Sequence, residues 1–228
     1  MSPDIQAALT RLLLFAPPFI LSLSFHEFAH AWAANKLGDS TARYLGRMTL
    51  DPMSHISVMG TIIFPAIAIL FNGPLFGWAK PVPVDSRNFK KPAQHMALVA
   101  AAGPASNLIL AVICVFALSL LAGTGPDQVL PFSAREGMAG ATLQMLDMAV
   151  WLNLFLCVFN LLPLPPLDGS RIIQGFVSPR ISMKIDAFGS QAQILLLILL
   201  FTGLLRYLAI PVYIIRGLLF HVFDVPMA

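Results

Sequence analysis

The stretch LSLSFHEFAHAWAANKLG sets two imidazoles and one carboxylate, His26, Glu27 and His30, in apolar surroundings. Between Leu12 and Ala34 no other side chain ionises. On a helix, positions i and i+4 share a face, so His26 and His30 can grip one metal ion from successive turns. Glu27 follows the first ligand and sits beside the ion, where it can take a proton from an attacking water. This is the mechanical content of HExxH on a helix. Zinc in such a site lowers the pKa of its water to about 7 and polarises a scissile carbonyl. Five histidines and two glutamates in 228 residues give on the order of 0.001 such matches by chance. An ionisable group in a membrane helix is also costly, which makes it a functional candidate by default.

Two histidines do not complete a catalytic zinc site, which takes three protein ligands and leaves a fourth position open. Most remaining carboxylates are poor candidates. Asp4, Asp127, Glu136 and Asp147 fall at or toward the opposite side of the chain's expected arrangement. Asp39, Asp51, Asp85 and Asp186 lie in hydrophilic loops, and Asp224 lies in the tail. Asp168 differs. It follows the apolar run NLLPLPPL, where Pro163, Pro165 and Pro166 end or bend a helix and Gly169 permits a turn. That arrangement can hold a carboxylate at membrane depth beside the first helix. The competing reading is an ordinary turn aspartate.

The elements that must position these groups are membrane helices. The chain is 57% hydrophobic and 11% charged, against roughly 45–50% and about 25% in a soluble domain. This predicts an all-α, multi-pass bundle of about five or six helices, one domain over 1–228. The charge of +3 is too small and too scattered for a nucleic-acid surface. Apolar stretches at 12–35, 57–72, 97–122, 142–162 and 190–220 are the candidate spans; a full crossing needs about 20 residues. The N-terminus lacks the basic region of a cleavable leader, so 12–35 is expected as the first membrane helix. Cys114 and Cys157 stand apart in apolar runs and suggest no disulfide.

Lysines and arginines assign sides. Loops 36–56, 73–96 and 163–188 are basic, whereas 123–141 has only Arg135 beside Asp127 and Glu136. The positive-inside bias puts the first three in the cytoplasm and the last outside. Residues 57–72, short and broken by Pro65, therefore cannot cross once and are expected to re-enter or skim the membrane. GWAKPVPVDSRNF, 77–89, alternates enough for a short edge strand or hairpin.

HEFAH in one membrane helix, AAGPASN in a later one and NLLPLPPLDG closing the next resemble the site-2 protease family of intramembrane zinc metalloproteases. The likeness runs along the whole chain and is closest to the compact prokaryotic branch without a PDZ insertion. GRMTLDPMSHISVMGT and GWAKPVPVD are similar to segments of that branch. The resemblance implies one zinc ion per chain held by His26, His30 and Asp168, with Glu27 as the base. It implies a GxxxN element at Gly103 to Asn107, a transmembrane segment of a membrane protein as substrate, the lipid bilayer as surroundings, and a prokaryotic cell membrane with the site toward the cytoplasm. The third-ligand motif is PLDG where other branches have NPDG. Asn107 can donate a hydrogen bond to an oxyanion or a substrate backbone, or it can join helices. Asn160, in VFNLLP, has the same two readings, and Gly103 is a further candidate for substrate contact. His55, His95 and His221 are expected to be interfacial or solvated. Two other functions compete: a membrane metal carrier, although no repeated ligand set or inverted half is visible, and an inactive scaffold of the same fold.

Overall fold

The computed structural model describes residues 3–70, 77–122, 132 and 137–225. The helices are α1 (Pro3–Leu37), α2 (Thr41–Tyr44), α3 (Phe64–Leu70), α4 (Pro92–Ala122), α5 (Gly137–Asn160), α6 (Asp168–Gln174), α7 (Pro179–Ala187), α8 (Gly189–Phe201) and α9 (Ala209–Val222). A π-helical turn, Val58–Ile63, leads directly into α3.

Four helical stretches are long and apolar enough to cross a bilayer: Leu9–Leu37, Pro92–Leu121, Gly137–Asn160 and Leu204–Val222. The 24 residues of α5 span about 36 Å at ~1.5 Å each, more than the ~30 Å of a hydrocarbon core. Helices α7 and α8 meet at a 54° bend and together make a broken fifth candidate. On α4, Ile109, Ile113, Phe116 and Leu120 are more than half exposed, as expected of side chains that face lipid. The chain is an integral membrane protein.

Helix α4 is the centre of the bundle and packs against α1, α5 and α6, while α9 closes on α5. Val115, Leu118, Val150, Leu154, Val212 and Phe220 form a core shared by α4, α5 and α9, all fully buried. A second cluster, Phe15, Phe19 and Leu23 with Ala79, joins α1 to the 77–85 segment. Arg216 of α9 donates to Asp147 of α5 at 2.6 Å, and its guanidinium lies 4.0 Å over the Phe220 ring.

Residues 57–72 are too short to cross. The 13 helical residues from Val58 to Leu70 cover about 20 Å at ~1.5 Å each. Beyond the undescribed residues 71–76 the chain is back at its starting point. Trp78 N–H donates to Gly60 O at 3.1 Å, Lys80 N–H to His55 O at 2.8 Å, and Thr61 Oγ1 to Trp78 O at 2.9 Å. A Cβ on Gly60 would lie 2.5 Å from Trp78 O, so the absence of a side chain there permits the close return. Both ends of the segment therefore lie at one level of the bundle.

The expected strand or hairpin at 77–89 does not form; no strand occurs among the described residues. Pro81 and Pro83 have no N–H to give a ladder. The donors of Trp78, Lys80 and Val82 go to Gly60, His55 and Glu27 instead. The expected outer loop, with Asp127, Arg135 and Glu136, lies outside the described residues apart from Phe132 and the start of α5.

Candidate metal centre

Helix α1 carries His26 and His30 one turn apart, and their Nε2 atoms face each other at 2.9 Å. After α5 ends at Asn160, residues 161–167 form a tight turn, with Leu162 N–H bonded to Phe159 O and Leu167 N–H to Leu164 O. The turn delivers Asp168 as the first residue of α6, which lies against α4. Asp168 Oδ2 is 3.2 Å from His26 Nε2, and Oδ1 is 3.5 Å from His30 Nε2. Among the described residues, His26, His30 and Asp168 are the group whose ligand atoms converge, all within 4.8 Å of one another.

The triangle suits a tetrahedral cation. Bonds of about 2.0–2.1 Å to zinc imply ligand separations of about 3.3–3.4 Å, close to the observed edges. The hydrogen bonds behind the imidazoles point the same way. Val99 O is 2.8 Å from His30 Nδ1. A carbonyl only accepts, so Nδ1 carries the proton and Nε2 keeps its lone pair. Asn107 Oδ1 is 2.6 Å from His26 Nδ1, with the same consequence. Two lone pairs and a carboxylate turned on one point, with buried Asp168 Oδ2 accepting no hydrogen bond, form a donor set that wants a cation.

Glu27 is buried on the adjacent face of α1. Its Oε2 accepts the Val82 N–H at 2.8 Å. Flanked by Pro81 and Pro83, Val82 is the sole backbone donor of its tripeptide. A cleft of about 530 Å³ opens over the triangle, lined by Glu27, Val82, Val84, Met96, Asn160 and Arg171 among others.

The other sequence candidates fall as follows. Gly103 lies against the imidazoles: a Cβ there would be 2.5 Å from His30 Nε2 and 2.6 Å from His26 Cε1. At this position the absence of a side chain lets α4 lie close against the two imidazoles of α1. Asn107 is fully buried behind His26. Its Nδ2 donates to Ser22 O at 3.3 Å and to Asn153 Oδ1 at 2.8 Å, so no amide hydrogen is left for an oxyanion. Asn160 lines the cleft, with its Nδ2 donating to Leu156 O of its own helix at 3.0 Å. His55 is buried, with Nε2 donating to Thr49 O at 2.8 Å. Val99 and Asn153 are neighbours that the motifs do not mark, and Val82 lies within GWAKPVPVD without a residue type that points to a role. The one visible signal is Asn153 itself, a polar residue inside an apolar helix.

Residues 14–201 match peptidase family M50. Among similar proteins is "Putative zinc metalloprotease YwhC" of Bacillus subtilis (strain 168). It is 45% identical over 192 residues, covering 84% of this chain and 82% of the relative. "Putative zinc metalloprotease Rip2" of Mycolicibacterium smegmatis is 28% identical over 194 residues, 85% of this chain and 69% of the relative. The Rip2 of Mycobacterium tuberculosis (strain H37Rv) is 29% identical over 181 residues, 79% and 64%. No solved structure matches the chain.

Proposed function

The chain belongs to peptidase family M50, the site-2 protease family, and from that premise we propose that it is a zinc endopeptidase that cleaves membrane-spanning segments of other proteins within the bilayer. The observation that carries this reading is the His26, His30 and Asp168 triangle under a cleft, with Glu27 beside it, inside a bundle of membrane helices.

His26 Nε2, His30 Nε2 and one Asp168 oxygen would hold the ion. When bound, zinc supplies Lewis acidity toward a peptide carbonyl and acidifies water to a pKa of about 7. Glu27 uses the oxygen that Val82 leaves open to take a proton from the attacking water, then returns it to the departing amine. The Val82 N–H keeps the carboxylate turned toward the cleft. The substrate helix must unwind there, because its amide groups are otherwise bonded to one another and shielded from water. Glycine or proline in the substrate eases that unwinding. Asn160 and Arg171, on the cleft wall, are placed to touch the opened chain. The basic loops orient the cleft toward the cytoplasm.

A carrier is disfavoured by the single ligand group found among the described residues. Zinc content of detergent-purified protein tests the site: near one ion per chain for wild type and a sharp loss in Asp168→Asn are expected. Glu27→Gln should keep its zinc while cleavage of a single-span substrate falls by at least about 10²-fold, the usual scale for a lost general base. Wild-type protein that folds but holds no zinc defeats the reading.

A further inference from the structure

Behind His26 runs a closed chain of hydrogen bonds through three membrane helices. Asn107 of α4 receives the His26 Nδ1 proton on Oδ1, and its Nδ2 faces Ser22 O of α1 and Asn153 Oδ1 of α5. Asn153 Nδ2 in turn faces Ala149 O and Ser22 Oγ, both at 2.8 Å. Ser22 Oγ donates to Pro18 O at 2.6 Å. Asn107 and Asn153 are fully buried and Ser22 is nearly so.

The direction of this chain is fixed. Ala149 O and Ser22 O are carbonyls and can only accept. Each therefore claims the amide nitrogen of the asparagine facing it. Asn153 must then turn Oδ1 to Asn107, and Asn107 must turn Oδ1 to His26. A flipped Asn107 would set its NH₂ against His26 Nδ1 and shift the imidazole proton to Nε2, the atom that faces Asp168. Asn107 and Asn153 are fully buried, where an unpaired polar group is costly.

We propose that Asn107 and Asn153 are positioning residues for the metal: relayed through the Asn107 amide, they hold His26 as the Nδ1–H tautomer with its Nε2 lone pair on the ion. The inference rests on the metalloprotease reading and deepens it. It gives Asn153, whose side chain bonds to Asn107, Ser22 and Ala149, an effect on zinc binding. It also separates Asn107 from the oxyanion role, since its amide hydrogens point away from the cleft.

The test is zinc affinity by chelator competition on folded, detergent-purified protein. Asn107→Leu and Asn153→Leu remove the relay, whereas Asn107→Asp keeps the oxygen that accepts the His26 Nδ1 proton. Loss of about 10- to 100-fold in affinity for the Leu variants, with Asn107→Asp retaining clearly more affinity than Asn107→Leu, is the expected result for a lost outer partner of a ligating histidine. Equal loss in Asn107→Leu and Asn107→Asp, or none in any variant, overturns the proposal while wild-type zinc binding leaves the function standing. Wild-type protein that binds no zinc overturns both. If the Leu variants do not fold, ¹⁵N-histidine spectra of zinc-loaded wild type decide. A proton on His26 Nδ1 with the metal on Nε2 supports the relay, and the reverse assignment overturns it.

Discussion

Gly103 has nothing to offer chemically, yet the two imidazoles of the candidate metal centre are packed directly against it. With no Cβ, it lets α4 approach the two imidazoles of α1 closely, while the Val99 carbonyl and the Asn107 amide on the same helix orient them. A methyl group at 2.5 Å from His30 Nε2 has no room unless the helices part or the rings turn. Overpacking of this kind costs about 1–3 kcal/mol. Gly103→Ala should therefore lower the thermal midpoint in detergent and weaken zinc retention together. Unchanged zinc and unchanged stability would show that α4 yields freely. The same geometry explains why a glycine and an asparagine four residues apart mark one helix: the first admits the rings and the second fixes one of them.

At the level of elements, the 77–89 segment is a strap across the cleft, and Asp39 is its fastening. This buried carboxylate follows the end of α1. Its Oδ2 accepts from Asp85 N–H at 2.8 Å, and its Oδ1 accepts from Asn88 Nδ2 at 2.8 Å and from the Thr41 hydroxyl and N–H. Burial pushes its pKa up, but these donors, the Thr41 hydroxyl and the Asn88 amide foremost, outweigh that and hold it below the usual carboxylate range. Arg87, through its side-chain hydrogen bonds, holds the neighbouring Asp85 down to about 2. A carboxyl with a depressed folded pKa stabilises the fold above its unfolded value of about 3.9 and loses that contribution as pH falls further. The strap should thus loosen below about pH 4. Asp39→Asn should cost about 1–3 kcal/mol at neutral pH, the scale of buried donors left unpaired. Melting curves should show that gap closing as wild type is acidified; a gap independent of pH would remove Asp39 from this role. The strap also marks the limit of what the sequence discloses. His26, Glu27, His30 and Asp168 are legible because helical spacing and helix-ending prolines are local. The short 57–72 segment is legible from length and from charge on either side. The hairpin expected at 77–89 is absent because its donors have partners 18 to 55 positions away, which no local alternation encodes. Asn153 and Val99 escape notice for the same reason.

For the whole molecule, the close return at Trp78 and Lys80 decides which faces of the bundle share a side. Cysteines introduced at Tyr44 and Arg87, both exposed within the basic loops, should react with an impermeant thiol reagent from the cytoplasm. One at Met138, at the start of α5, should react from the opposite side. Reaction of Tyr44 and Arg87 positions from different sides would require 57–72 to cross. The metal centre adds a constraint in time. Its candidate ligands stand about 140 residues apart in the chain. At roughly 5–20 residues per second of synthesis, α1 waits on the order of ten seconds before Asp168 exists. During that interval a helix bearing two imidazoles and a carboxylate gains its polar partners in turn, first Val82 of the strap, then Asn107 and Asn153, and Asp168 last. A newly made α1 is thus a poor membrane helix until its partners arrive, and its two imidazoles meet their carboxylate only when α6 has been made.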